Sequence, residues 1–377
     1  MRHLLVILAV ILMVVPLCGC TSGGEMDTTA PASTIGPTAP ILSPLWENRF
    51  EGKVWEPFPM HDGICVVTLS HMYFFSNEGD LRWSTSYEGS MRMRQVTDGA
   101  SVYVAYLDGS VERRSHETGD IAWRQSIDEE PNCLNLCLHD GRLYVPSVKD
   151  EIVCIDAETG DILWRRGYAN GNMLLFSAIM PLGDALLVDT YAADMHAFLI
   201  DPATGDMLDT WDEAYLGDMV IHEEMVYSIA MKSLKCLDAN GAVEWQIDDH
   251  EYFGTWIGPV ISYPFLFFVT CMNRMDCIDI RSGEIAWMLW AGYVFSDPMV
   301  LPEVAIGNPA CVAAEGSMLI MESVIDPGTV IIRDIATGVK IASLPAMGDT
   351  PLSFATDGTL LYCMSEGTIA CYNLEGI

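Results

Sequence analysis

The stretch Cys154-Ile-Asp-Ala-Glu-Thr-Gly-Asp-Ile-Leu-Trp164 is a phrase to which the chain keeps returning. Close copies run from Arg114 to Trp123 (Arg-Ser-His-Glu-Thr-Gly-Asp-Ile-Ala-Trp) and from Cys277 to Trp287 (Cys-Ile-Asp-Ile-Arg-Ser-Gly-Glu-Ile-Ala-Trp). The turn glycine recurs at Gly79, Gly119, Gly160, Gly205, Gly241, Gly283, Gly338 and Gly376. An apolar run ends in Asp156, whose carboxylate can accept N–H bonds from the turn that follows, and Gly160 supplies the positive φ that the reversal needs. Four residues on stands a tryptophan: Trp83, Trp123, Trp164, Trp245 and Trp287 share that position. A flat indole there fills the wedge between neighbouring sheets and bonds through its N–H, so these tryptophans read as structural docking residues.

A period near forty residues with Asp-Gly turns inside each unit predicts a β-propeller, one four-stranded antiparallel blade per repeat. Asp62-Gly63, Asp98-Gly99, Asp140-Gly141 and Asp357-Gly358 mark the first turn of a blade, and Asp108-Gly109 or Glu366-Gly367 the second. Eight glycines predict eight blades. Trp46 has no repeat glycine before it and the eighth repeat stops at Gly376-Ile377, so the strand Trp46-Glu-Asn-Arg-Phe50 is expected to be the outer strand of the last blade and to close the ring.

The phrase resembles the PQQ-like (quinoprotein-type) propeller repeat, Asp-x-x-Thr-Gly-x-x-x-Trp, over roughly residues 46–377. Asp209 and Ala342 stand where the fourth and seventh repeats should carry tryptophan, and loose docking is expected there. A closer resemblance is to the BamB lipoproteins of outer-membrane protein assembly. It implies eight such blades behind a lipobox and docking on a partner through the loops of one face. The resemblance also brings in PQQ-dependent dehydrogenases, which use this scaffold with adjacent cysteines, calcium-binding carboxylates and a catalytic aspartate. This chain has no Cys-Cys pair, no nucleophile elbow and no phosphate loop. No enzyme activity and no cofactor are expected, with a quinoprotein dehydrogenase or a small-ligand channel as the alternative. Trp55, Trp211, Trp256 and Trp290 remain as possible stacking platforms.

At the start, Met1-Arg-His and the apolar run Leu4–Val15 suit a secretory segment, and Leu17-Cys-Gly-Cys20 resembles a lipobox. Residues 1–19 are expected to be a lipoprotein signal peptide, with Cys20 lipidated and the protein outside the cytoplasm, anchored by lipid. Residues 20–45, rich in Thr, Pro, Ser and Gly, read as a tether; residues 46–377 are the propeller.

The net charge of −33 repels nucleic acid and anionic headgroups. The expected partner is an envelope protein or peptide, met by a monomeric propeller. Against that acidity Arg92 and Arg94, expected on the innermost strand of blade 2, form either a positive spot at the channel mouth or ion pairs with a neighbouring blade. The seventh unit carries extra residues near Trp290–Ile306, and Trp290, Tyr293 and Phe295 are candidate partner contacts or a plug for that blade. No metal motif is present: the eight histidines are scattered and the acidic runs lack calcium-loop spacing. Twelve cysteines invite disulfides, but Cys154, Cys236, Cys277 and Cys371 occupy one repeat position in different blades and read as small buried thiols. Cys363 with Cys371, and Cys271 with Cys277, remain possible pairs across hairpins.

Overall fold

The computed structural model describes residues 39–377 apart from 53, 69, 88–93, 129–130, 132–135, 169–175, 191–196, 212–217, 231–232, 249–254, 271–273, 291–311, 316–317, 323–328, 346, 348–352, 366 and 376. The first strand is β1 (Trp46–Arg49). Blade 1 is β2 (Val54–Met60), β3 (Gly63–Thr68), β4 (His71–Ser76) and β5 (Leu81–Ser86); blade 2 is β6 (Arg94–Thr97), β7 (Ser101–Ala105), β8 (Ser110–Ser115) and β9 (Ile121–Ser126). Blade 3 follows with β10 (Cys137–His139), β11 (Arg142–Pro146), β12 (Glu151–Asp156) and β13 (Ile162–Gly167). Blade 4 holds β14 (Phe176–Leu182), β15 (Ala185–Thr190), β16 (Phe198–Ile200) and β17 (Met207–Thr210). Blade 5 holds β18 (Asp218–His222), β19 (Met225–Ala230), β20 (Ser233–Leu237) and β21 (Val243–Asp248). Blade 6 is β22 (Thr255–Ser262), β23 (Phe265–Thr270), β24 (Arg274–Asp279) and β25 (Glu284–Trp290). Blade 7 is β26 (Val312–Glu315), β27 (Met318–Glu322), β28 (Val330–Asp334) and β29 (Lys340–Leu344). The last sheet combines β30 (Ser353–Thr356), β31 (Leu360–Ser365) and β32 (Thr368–Asn373) with β1 at its outer edge.

β1 runs antiparallel to β32, with Trp46 opposite Cys371 and Arg49 opposite Thr368. The first described strand therefore belongs to the last blade.

The middle strands are largely buried because each lies between two other sheets: β3 is buried at every position, and so is β7. Each core is shared by two neighbouring blades. Tyr103, Val111 and Ile127 of blade 2 pack with Leu143, Val153 and Ile155 of blade 3. Ile64, Val66 and Phe75 of blade 1 pack with Tyr362, Met364 and Cys371 of blade 8.

The outer strands differ. In seven blades the pairing between third and outer strand slips by one residue just after the turn, as at Cys154/Ile155, so that Leu163 has no opposite number. Such a bulge bends an edge and discourages stray pairing. Pro40–Leu42, within the stretch read as tether, lie on the outer edge of blade 7. Ser343 N–H donates to Pro40 O at 3.0 Å, Leu42 N–H donates to Ser343 O at 2.9 Å, and Ile41 pairs with Ser343 in parallel. Leu42 packs on the core between blades 7 and 8.

Candidate functional site

The repeated turn is built around its aspartate. Asp156 Oδ1 accepts the N–H groups of Glu158 at 3.0 Å and Thr159 at 2.8 Å, while Gly160 N–H donates to Asp156 O at 2.9 Å. The Thr159 and Glu158 N–H groups hold the Asp156 carboxyl below the usual carboxylate range, and the Ala242 and Asn240 N–H groups do the same for Asp238. At Asp279 the Arg281 side chain leads, followed by backbone N–H groups.

Each turn is then covered by the indole of the preceding blade. A β-carbon added at Gly160, where φ is 80°, would fall 2.8 Å from Trp123 Cδ2. Trp46 lies in the same way on Gly79, Trp83 on Gly119, Trp164 on Gly205 and Trp245 on Gly283. The indole N–H donates to the carbonyl one residue beyond the turn's first residue. Trp123 reaches Ala157 O at 3.0 Å, Trp83 reaches His116 O at 2.6 Å and Trp46 reaches Asn77 O at 2.7 Å. Trp164 reaches Pro202 O at 3.2 Å, Trp245 reaches Ile280 O at 3.2 Å and Trp287 reaches Ile335 O at 2.7 Å. The contact is looser at Gly338, whose added β-carbon would sit 3.5 Å from Trp287. Gly376 lies outside the described residues.

Two expectations need correction. The fourth blade is not loosely docked at Asp209, because Trp211, two residues further on, takes over. It is 2% exposed and 2.6 Å from a β-carbon added at Gly241. Trp211 is thus a docking residue and not a stacking platform. Ala342 is fully buried with Leu344, Phe354, Leu361 and Tyr372, so a small residue there sits in a packed core between blades 7 and 8.

The cysteines fall into rungs. Cys154 stands between Tyr144 and Trp164 across three strands, Cys236 between Tyr227 and Trp245, Cys277 between Phe267 and Trp287, and Cys371 between Tyr362 and Trp46. A small third-strand side chain lets the flanking rings approach, with centroids 5.9 Å apart for Tyr144 and Trp164 and 5.8 Å for Phe267 and Trp287. All four thiols are free and buried. Cys363 and Cys371 do not face each other: Cys363 is opposite Ala370 and belongs to the core shared with blade 7, whereas Cys371 belongs to the core shared with blade 1. Cys271 lies outside the described residues. The aromatic on the second strand is a signal the sequence reading passed over; it lies at the third position of β7, β11, β19, β23 and β31.

Blade 2 carries a charged cluster in its interior. Glu112, 2% exposed, accepts from Arg114 Nη2 at 2.6 Å and Nε at 2.9 Å and from the Tyr106 hydroxyl at 2.8 Å. Arg124 Nε stands 3.4 Å from its other oxygen, and Arg114 Nη1 donates to Gly119 O at 3.1 Å, beneath Trp83. Burial, then the Glu112 charge, pushes the Tyr106 hydroxyl up to about 12. The pairs are satisfied within the blade, so the cluster stiffens the join with blade 1 and offers no open coordination.

Of the candidate binding residues, Arg94 opens the innermost strand β6, opposite Ala105, while Arg92 lies outside the described residues. Trp290 is not in the insertion: it ends β25, opposite Arg274. Tyr293 and Phe295 lie in 291–311, outside the described residues. That outer-to-inner connection is more than twice as long as any other, the next being 127–136. Trp55 and Trp256 occupy the innermost strands β2 and β22. Among the described residues no three His, Cys, Asp or Glu side chains gather where one metal ion could be held.

Residues 108–214 match the family model described as outer membrane protein assembly factor BamB. The repeat is a PQQ-like one, similar to that of BamB. No curated protein matches the sequence. The crystal structure of BamB from Moraxella catarrhalis superposes with a TM-score of 0.65 at 13% identity, covering 89% of this chain and 100% of that one. The computationally designed Ika8 protein gives a TM-score of 0.67 at 12% identity, over 86% of this chain and 98% of the other. The quinohemoprotein alcohol dehydrogenase ADHIIG from Pseudomonas putida HK5 gives 0.62 at 12%, over 89% of this chain and 76% of that one. At such identities the superpositions speak for the β-propeller fold alone.

Proposed function

We propose that this chain is a lipid-anchored, extracytoplasmic β-propeller that binds an envelope protein or peptide as a non-catalytic scaffold, with a role in envelope protein assembly of the BamB kind. The match of residues 108–214 to the BamB model carries this reading. It is supported by the apolar run Leu4–Val15 before Leu17-Cys-Gly-Cys20, which makes residues 1–19 a signal peptide and Cys20 the anchor. Residues 20–39 then serve as spacer, and the long 291–311 connection, on the side where outer strands pass to inner ones, is the candidate contact. The charge of −33 favours a partner with a basic surface over nucleic acid.

Cross-linking in the host followed by mass spectrometry tests this, comparing the native protein with one lacking 291–306. Reproducible envelope partners lost on deletion are expected; no partner with either form contradicts the reading. A Cys20→Ala variant should leave the membrane fraction.

The likeness to the quinohemoprotein dehydrogenase supports a second reading, a quinone site in the channel between the innermost strands that carry Trp55, Trp256 and Arg94. Titrating pyrroloquinoline quinone with calcium while following tryptophan fluorescence decides it: saturable quenching supports the site, and none removes it.

A further inference from the structure

The outer strand of blade 4 is unlike the others. All four residues of β17 are exposed, with Met207 at 49% and Leu208 at 57%. Every other outer strand carries at least one buried or half-buried side chain. The cause is in the sequence. Asp209 stands where the docking tryptophan belongs, and Trp211 pins the blade from beyond the strand's end, which leaves β17 itself uncovered. The bulge leaves Leu208 with no residue opposite it on β16, and among the described residues no strand pairs with the free edge of β17.

The molecule already shows how such an edge is used: Pro40–Leu42 add to the outer edge of β29 through backbone hydrogen bonds. Strand addition of this kind takes its affinity from the main chain and its specificity from alternate side chains. At β17 the side chains on offer are two adaptable apolar ones, Met207 and Leu208, between the carboxylates Asp206 and Asp209. Arg166 answers only Asp206, at 3.0 Å, among the ion pairs of the described residues, and the chain as a whole carries −33.

We propose that the free edge of β17 takes an extended segment of a partner protein, apolar at alternate positions with Lys or Arg between them. The inference rests on the protein-binding reading and names the partner's chemistry and one place where it docks. Apolar side chains of the added strand lie against Met207 and Leu208, and its cations meet Asp206 and Asp209.

The test uses the full chain and fluorescent synthetic peptides of alternating Val-Lys, Val-Glu and Gly-Lys, read by anisotropy. Val-Lys should bind. The double variant Met207→Arg, Leu208→Arg should weaken it about tenfold, equivalent to about 1.4 kcal/mol, whereas Ile121→Arg, on the outer strand of blade 2, should not. Both replaced side chains are exposed, so thermal melting should be unchanged, and benzophenone-alanine placed at 207 should cross-link the bound Val-Lys peptide. Equal binding of Gly-Lys or Val-Glu, undiminished binding by the double variant, equal loss with Ile121→Arg, or no adduct from position 207 would each overturn the proposal. If the double variant still captures the envelope partners in cells, this edge is not their site and the scaffold reading stands without it.

Discussion

A methyl group at Gly160 would have to share space with the Trp123 indole, and the backbone there already sits at φ 80°. Gly99 has a similar φ, 86°, with nothing within 4 Å of an added β-carbon. The two positions separate backbone strain from the lost docking contact. Gly99→Ala should cost about 1 kcal/mol, and Gly160→Ala about 3 kcal/mol because the indole must also shift; urea denaturation of the two variants checks the difference. The rung cysteines make a second prediction at this scale. Burial pushes the thiols of Cys154, Cys277 and Cys371 up to about 12 and that of Cys236 up to about 11, from an ordinary 9.0. These groups stay neutral when folded but ionise readily once unfolded. Their contribution to stability is therefore complete below pH 9.0 and is lost as pH rises toward 11 and 12. Chemical denaturation between pH 8 and 12 should show the decline, steeper than in a variant with the four cysteines replaced by alanine. At pH 8 the four thiols should resist alkylation until denaturant is added, because the reactive thiolate is suppressed.

At the scale of the blade, the Asp-x-x-Thr-Gly-x-x-x-Trp phrase was legible because the turn and the indole answer each other across a fixed gap, in every repeat that has them. Trp211 escaped the same rule. Blade 4 keeps Leu199 opposite Asp209 and carries its indole two positions further along the strand pair, beside Ala197, and spacing from Gly205 cannot reveal that shift. Removing it tests the correction: Trp211→Ala should destabilise by about 3–5 kcal/mol, as a docking residue does, and a stacking platform in open solvent would cost far less. The Glu112 cluster was also invisible in sequence, because nothing in the spacing of Glu112, Arg114 and Arg124 shows that the first two are buried. Glu112→Ala leaves the Arg114 charge buried without its carboxylate and should cost about 3 kcal/mol, while Glu112→Leu combined with Arg114→Met should recover most of it. Thermal denaturation of the single and double variants distinguishes these outcomes.

For the whole molecule, the eight-blade count could be read from the sequence in the eight turn glycines, and the place of Trp46 in its being a tryptophan with no repeat glycine before it. The hand-over from spacer to structure could not. Pro40 to Leu42 are too few, and too closely followed by Pro44, to announce a strand, and they are held by the edge of β29 and by the core that receives Leu42. The proposed contact is the part least readable, since residues 291–311 have no counterpart in the other repeats against which to compare them. Whole-molecule acidity has its own consequence: association with a basic partner should weaken steeply with salt, since screening acts on exposed charges first.

β1 belongs to the last blade, and this pairing ties the two ends of the described chain together. Arg49 and Thr368 are opposite each other on β1 and β32, within the range that a disulfide can span across an antiparallel pair. The double variant Arg49→Cys, Thr368→Cys should therefore cross-link on mild oxidation of the folded protein and give a compact, reduction-sensitive species in a denaturing gel, with the 49–368 linked peptide found by mass spectrometry. A folded double variant in which neither cysteine reacts with the other would contradict it.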